Sequence, residues 1–132
     1  MLRLFRLLTV VGFLAAAATA SAQFGHPLKG SWSGEWGPNA ATQTHVVLDI
    51  NWDGKAITGT VNPGADGIAL KTATLDAATW RVHLEGDGKD KSGANVRIVI
   101  DGKMENIGAY ARFITGTWTQ GSQRGNFKLT RN

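Results

Sequence analysis

The chain has 132 residues, a formal net charge of +4 and no cysteine. This length suits one domain with a modest hydrophobic core. Without cysteine, the chain can carry neither a disulfide framework nor a lipid attached through a thiol. Lysine and arginine are scattered along the chain rather than concentrated in a stripe, so the sequence does not predict nucleic-acid binding.

The beginning of the chain has the pattern of a secretory signal peptide at residues 1–22. Arg3 and Arg6 form a short basic region, an apolar run follows, and small residues precede a cleavage site after Ala22. Cleavage after Ala20 and a retained membrane anchor are the alternatives. The apolar run is shorter than the roughly 20 residues that a membrane-spanning helix needs. We therefore predict an exported protein, periplasmic or extracellular, with no stable membrane insertion after cleavage.

Cleavage would leave residues 23–132 as one domain with twelve basic and ten acidic residues, because the leader holds two arginines and no acid. This domain shows almost no helical periodicity. Its short runs of alternating apolar and polar residues are separated by glycine, aspartate, asparagine and proline, which is typical of all-β proteins. The runs predict eight strands, at residues 30–36, 44–51, 56–62, 68–75, 80–86, 95–104, 112–119 and 125–131.

The connections between these strands are short, which predicts antiparallel pairing of strands that are adjacent in sequence. Eight such strands can close into a single up-and-down antiparallel β-barrel that has no exposed edge. The stretch from Asp101 to Ala111 allows two interpretations. The chain either turns at Asp101 and Gly102, or continues as a strand to Met104 and turns at residues 106–108.

The tetrapeptide ITGT occurs twice, at residues 57–60 and 114–117, on the third and seventh predicted strands. Duplication of a four-stranded half is one interpretation, but the same offset would move Trp32 into a predicted loop. The other interpretation is architectural, since Gly59 and Gly116 allow the bend that a closing sheet requires. We expect the architectural origin.

Both ends of the predicted domain resemble the calycin group, which includes lipocalins, fatty-acid-binding proteins and avidins. The Gly-Ser-Trp at residues 30–32 is similar to the Gly-x-Trp motif that opens lipocalin barrels. In that family an arginine of the last strand packs over the tryptophan and closes the barrel end. The resemblance therefore implies that Gly30, Trp32 and Arg131 close the barrel, with Arg124 as a second candidate for the arginine.

The end of the chain carries a second resemblance. Residues 113–118, followed by the last strand, resemble the closing hairpin of small lipocalin-like domains in exported bacterial proteins. The chain is shorter than a typical lipocalin and lacks an evident C-terminal helix and a disulfide. The resemblance implies a calycin-type barrel and gives no ligand.

The tryptophans lead to the first functional hypothesis. Alternation points four of them inward, and Trp52 adjoins the Asp53-Gly54 turn at a barrel mouth. The hypothesis is a non-enzymatic barrel that binds a small, largely apolar molecule at one end. Its ligand-binding residues would be Trp32, Trp36, Trp52, Trp80 and Trp118.

The alternative hypothesis is a barrel filled by its own side chains, which acts as an interaction module for another exported protein or a cell-envelope polymer. Its contacts would come from the loops and from the outward faces of the strands, above all from the outward row Arg81, His83, Glu85 and Arg97. The predicted inward side chains, besides the tryptophans other than Trp52, are Val46, Leu48, Ile50, Ile57, Val61, Ile68, Leu70, Val82, Leu84, Val96, Ile98, Ile100, Ile114, Phe127 and Leu129.

Nothing in the sequence predicts catalysis, a metal site or a cofactor. His26, His45 and His83 lack the spacing of metal ligands. No serine or threonine lies in a nucleophile-elbow sequence. Four carboxylates fall at outward positions and do not converge in a cleft: Glu35, Asp49, Glu85 and Asp101. We therefore predict that the protein is not an enzyme and has no catalytic residues.

Overall fold

The computed structural model of the chain describes residues 26–89 and 92–132, so the predicted signal peptide lies outside the described residues. The strands are β1 (Gly30–Asn39), β2 (Thr42–Trp52), β3 (Ile57–Val61), β4 (Ile68–Asp76), β5 (Arg81–Lys89), β6 (Asn95–Glu105), β7 (Phe113–Gln120) and β8 (Gln123–Arg131). Each strand pairs antiparallel with its neighbours in sequence, and β1 also pairs with β8. The predicted fold, a closed up-and-down barrel of eight strands, is confirmed. In the described ranges no helix is long and apolar enough to cross a membrane.

Strand alternation fills the barrel with apolar side chains. Sixteen apolar residues are buried and form one cluster, and no polar or charged residue of the described chain is buried with them. The prediction missed two of them, Leu28 and Met104. The other fourteen were predicted to face inward: Trp32, Trp36, Val46, Leu48, Ile50, Val61, Val82, Leu84, Ile98, Ile100, Ile114, Trp118, Phe127 and Leu129.

A β-bulge reverses the alternation within β4. The register against β5 shifts between Leu70 and Thr72, where β4 carries one extra residue. Leu70 packs against the core before the bulge, and Ala73 and Leu75 do so after it. Because one residue of shift moves side chains to the other face, Thr72 and Thr74 face outward.

The prediction that Trp80 lies on the fifth strand is wrong. β5 begins at Arg81, and Trp80 lies in the preceding turn with a left-handed φ of 61°. Its N–H donates to the Asp76 carbonyl at 2.7 Å, and its own carbonyl accepts the Met104 N–H at 2.8 Å. Alternation cannot reveal a turn that needs a positive φ. The Trp80 indole packs partly against the core.

The region after Asp101 follows the second of its two interpretations. β6 continues through Met104 to Glu105, and the chain then turns at Asn106, which has a φ of 57°. Ile107, in the loop that follows, packs against the core from outside the strands. The loop therefore contributes to closing the end of the barrel at which β6 ends and β7 begins.

The segment before β1 forms a plug, residues 26–29, in the same end of the barrel. The Leu28 side chain is fully buried, and its carbonyl accepts a hydrogen bond from Trp32 Nε1 at 2.9 Å. Arg112 Nη1 donates to the Pro27 carbonyl at 3.0 Å. The His26 ring lies 4.7 Å from the Trp52 ring, and burial lowers the pKa of His26. The plug is thus attached to β1, β2 and the chain just before β7.

The two ITGT segments lie on β3 and β7, four strands apart in the barrel. A Cβ on Gly59 would lie 2.9 Å from the carbonyl oxygen of Asp49 in β2. A Cβ on Gly116 would overlap the carbonyl oxygen of Asp101 and lie 2.5 Å from Cα of Gly102, both in β6. Close approach of the neighbouring strand accounts for both glycines, which supports the architectural interpretation.

Candidate functional site

The five tryptophans do not form one site. Trp36 and Trp118 stack inside the barrel with ring centroids 5.4 Å apart, towards the end away from the plug. Trp32 is fully buried beneath the plug. Trp52 and Trp80 are partly buried at the rim of the plug end. An apolar ligand at either end would compete with these side chains for space, and the hypothesis of such a ligand stays a prediction.

The residues that the calycin resemblance assigns to barrel closure lie together at the plug end. Trp32 is opposite Arg131 in the ladder between β1 and β8. Arg131 Nε lies 2.8 Å from where a Cβ on Gly30 would be, so glycine leaves room for this side chain. The guanidinium carbon lies 5.1 Å from the Tyr110 ring centroid, within the range of a cation–π contact. Arg124 lies near the start of β8, at the opposite end.

Charged side chains on the outer wall of β5 and β6 form a connected set, the wall network. His83 Nδ1 lies 2.5 Å from Asp101 Oδ1, and His83 Nε2 lies 3.2 Å from Glu85 Oε2. Arg97 pairs with the other oxygen of Glu85 and lies 4.0 Å from Asp87 Oδ1. The network therefore joins two neighbouring strands through five side chains: His83, Glu85, Asp87, Arg97 and Asp101.

Strand register brings the wall network together. His83 lies opposite Asp101, and Asp87 lies opposite Arg97, in the ladder between β5 and β6. Side chains at opposing positions have Cβ atoms about 4.5–5.5 Å apart, close enough for ion pairs. Lys71, at the bulge of β4, adds a contact of 2.5 Å from its Nζ to Asp87 Oδ2. Alternation predicts which side chains face outward, but only register shows which of them meet.

Contacts within and beside the wall network shift the pKa values of three of its members. Hydrogen bonds to Asp101, and secondly to Glu85, raise the pKa of His83 above its ordinary value. Hydrogen bonds from His83 and then from Arg97 lower the pKa of Glu85. The hydrogen bond from Lys71 is the main cause of a lowered pKa at Asp87. The network therefore favours the charged forms of His83, Glu85 and Asp87.

His83 is not arranged as a catalytic base or a metal ligand. When it is protonated, both of its ring nitrogens donate to carboxylates, so no lone pair is free to accept a proton or bind a metal ion. In the part of the chain that the structure describes, no group of three or more histidine, aspartate or glutamate side chains could hold a metal ion. The geometry is that of an ion-pair network on a binding surface.

We expect His83→Gln to destabilise the protein most at about pH 6. The stabilisation that follows from the raised pKa of His83 is complete below the ordinary histidine pKa of about 6.5 and is lost as pH rises through the folded-state pKa. The stabilisation from the lowered pKa of Glu85 is complete above about 4.3, the ordinary value, and is lost as pH falls through the folded-state pKa. The contributions of His83 and Glu85 are therefore both complete only at pH values between about 4.3 and about 6.5.

Urea unfolding of the wild type and of His83→Gln at several pH values measures this difference. The difference in the free energy of unfolding between the two proteins should be largest at about pH 6. It should decrease at alkaline pH, because the wild-type imidazolium then loses its proton. His45→Gln is the matched control, because His45 also faces outward and lies 3.7 Å from Glu35, with a more exposed side chain. A His83 difference that does not change with pH would contradict the charged network.

A groove of about 670 Å³ crosses the outer wall of β4 to β7 beside the wall network. We refer to it as the wall groove. Three hydroxyl side chains line it: Thr74, Thr115 and Thr117. Five charged or titratable side chains also line it: Asp76, Arg81, His83, Asp101 and Lys103. The surface of the groove is mostly apolar, and these hydroxyl groups and closely placed charges of both signs are set around it.

Comparison with known proteins leaves function to be inferred from this geometry. Searches against protein-family models, curated proteins and solved structures gave no match to the chain. The closed barrel of eight antiparallel strands is compatible with a calycin-like fold. Because one fold hosts many functions, the residues of the wall groove and the wall network carry the functional inference.

Proposed function

We propose that this chain is exported, has no enzymatic activity and acts as an interaction module that binds a partner protein in the wall groove. The supporting observation is the wall groove itself, a concave and mostly apolar surface of about 670 Å³ that is lined by hydroxyl groups and by charges of both signs. Its volume falls in the range of roughly 300–1,000 Å³ that is usual for small-molecule sites, so the groove has room for a few side chains of a partner.

The filled interior is the first reason to look for binding on the outside. The sixteen buried apolar side chains occupy the centre of the barrel, so the wall and the loops are the accessible surfaces. The second reason is that every strand has a paired neighbour on both sides, although β3 and β4 share only two residue pairs, so the barrel offers little edge to which a partner could add a strand. On the wall, recognition would use side chains that project outward, and threonine hydroxyls both donate and accept hydrogen bonds.

The wall network favours binding over catalysis. His83 is held by Asp101 on one ring nitrogen and by Glu85 on the other. A histidine held in this way provides fixed charge and rigid geometry, which a binding surface can use. A general base would need an imidazole nitrogen free to reach the substrate proton.

Photo-crosslinking in the producing cells tests the proposal. A photoreactive residue replaces Thr117, in the wall groove, or Thr58, an exposed outward residue of β3 outside the groove. We expect a discrete adduct from position 117 and none from position 58. Mass spectrometry identifies the adduct, and the purified partner is then tested for direct binding to the wild type.

A groove-blocking variant completes this test. Thr117→Trp places a large side chain in the wall groove, whereas Thr58→Trp places the same side chain on β3. We expect Thr117→Trp to abolish binding of the identified partner and Thr58→Trp to retain it. Equal adducts at both positions, or a partner that binds Thr117→Trp as tightly as the wild type, would refute the wall groove as the binding surface.

A further inference from the structure

Two cations lie opposite each other beside the wall groove. Arg81 in β5 and Lys103 in β6 are direct partners in the antiparallel ladder. Both are exposed, and both line the groove. Like charges at opposing positions of an antiparallel pair are destabilising. The stability of the barrel therefore does not explain why these two positions carry the same charge.

The carboxylates around this pair are engaged elsewhere. Asp76 lies opposite Arg81 on the other side, but its carboxylate accepts the N–H of Ala78 at 2.9 Å and closes the turn before β5. The Asp101 carboxylate is held by His83. Over residues 26–89 and 92–132, neither Arg81 nor the lysine opposite it has a carboxylate oxygen within 4.0 Å. The pair is therefore a positively charged surface without a carboxylate partner among the described residues.

We infer that Arg81 and Lys103 together form a binding site for an acidic side chain, and we call this site the seat. The acidic side chain would belong to an extended polypeptide segment of the partner that lies in the wall groove. This inference rests on the proposed function and deepens it by naming the partner's chemistry. A guanidinium can bind a carboxylate through two parallel hydrogen bonds, and the ammonium adds a compact point charge. One carboxylate between the two cations also removes their mutual repulsion.

The dimensions of the wall groove suit a short extended segment. Neighbouring strands lie about 4.8 Å apart, so a groove across four strands is about 14 Å wide and holds roughly four extended residues. Thr115 lies opposite Lys103 in the ladder between β6 and β7, and Thr74 lies on β4. Thr115 Oγ1 donates to Glu105 Oε2 at 3.4 Å and Thr74 Oγ1 donates to the His83 carbonyl at 3.5 Å, so each hydroxyl oxygen can still accept an N–H of a peptide backbone on its side of the seat.

The charges that flank the seat select among anionic partners. Asp76 and Asp101 line the same groove and would repel a chain with a negative charge on every unit. A polypeptide segment with one acidic residue among neutral polar residues avoids this repulsion. We therefore favour such a segment over a polyanionic polysaccharide.

An NMR titration of the purified protein, in the processed form that cells release, tests the seat. The probes are a short serine–threonine peptide with one central glutamate and the same peptide with glutamine in that place. We expect the glutamate peptide to cause saturable shifts of the Arg81, Lys103 and Thr115 amides. The glutamine peptide, and the variant that combines Arg81→Gln with Lys103→Gln, should each lower the affinity about fivefold, which is the largest factor that one exposed ion pair usually contributes.

A variant with the same loss of charge outside the groove is the control. Lys55 and Arg124 are both exposed and do not line the wall groove, so combining Lys55→Gln with Arg124→Gln should retain the affinity for the glutamate peptide. Tighter binding of polyglucuronate than of the glutamate peptide would overturn the choice of a polypeptide.

The possible outcomes distinguish a failure of the seat alone from a failure of the proposed function. Groove shifts of equal size with both peptides would overturn the seat and leave binding in the wall groove intact. The seat alone would also be overturned if millimolar glutamate peptide caused no shift of the Arg81 and Lys103 amides while the crosslinked partner still bound in a way that depends on the groove. If neither peptide nor any crosslinked partner contacts the groove, both proposals fail.

Discussion

Replacing Trp32 by alanine should lower the free energy of unfolding by about 3–5 kcal/mol. The indole is fully buried, and its Nε1 donates to the carbonyl of Leu28 in the plug. The substitution therefore leaves a cavity in the core and also removes the hydrogen bond that attaches the plug. Because domains of this size are stable by only about 5–15 kcal/mol, urea unfolding followed by circular dichroism will show the loss directly.

Two further variants separate the contributions of Trp32. Trp32→Phe retains a large ring but leaves the Leu28 carbonyl without its donor, which should cost about 1–3 kcal/mol. Trp52→Ala, at the partly exposed rim, is the matched control and should cost about 1 kcal/mol. Equal losses for the alanine variants of Trp32 and Trp52 would contradict a core built around Trp32 and the plug.

Much of the fold follows from the two-residue period of side chains along a strand. One buried face per strand and a short turn between strands leave few arrangements, and eight such strands close into a barrel. The pattern fails where the backbone departs from regular pleating. The bulge near Lys71 and the left-handed Trp80 each shift or interrupt the alternation, and neither has a strong signal in the sequence.

The plug was not predicted, for a different physical reason. Leu28 precedes the first strand in a segment without periodicity, so nothing in the sequence indicates that its side chain enters the barrel. Its burial depends on contacts with distant parts of the chain, the indole of Trp32 and the guanidinium group of Arg112. Sequence patterns describe neighbours along the chain and say little about such contacts.

The candidate site was predicted in part. The outward row included His83, Glu85 and Arg97, which the structure joins in the wall network. The partnership of His83 with Asp101 depends on the register between β5 and β6, which the sequence does not specify to the residue. The same register places Arg81 beside Lys103, although the two lie far apart in sequence.

Replacing Gly116 by alanine should lower the free energy of unfolding by about 3 kcal/mol, at the upper end of the usual cost of overpacking. The added Cβ would overlap the carbonyl oxygen of Asp101 and lie 2.5 Å from Cα of Gly102. Both are backbone atoms, so no rotation of a side chain can relieve the overlap, and the two strands must move apart, which we expect to occur by movement of β6. This movement would also displace the Asp101 carboxylate from His83.

Gly108→Ala is the matched control, because a Cβ there would meet no atom within 4 Å. Its backbone φ lies outside the left-handed range, so alanine should leave the stability nearly unchanged or raise it slightly through the unfolded state. In the wild type, the hydrogen bond to Asp101 is the main cause of the raised pKa of His83. NMR titration of Gly116→Ala should therefore give a lower pKa for His83 than in the wild type. A large loss of stability without this change at His83 would mean that β7 moves instead of β6, and that the wall network does not depend on the close contact at Gly116.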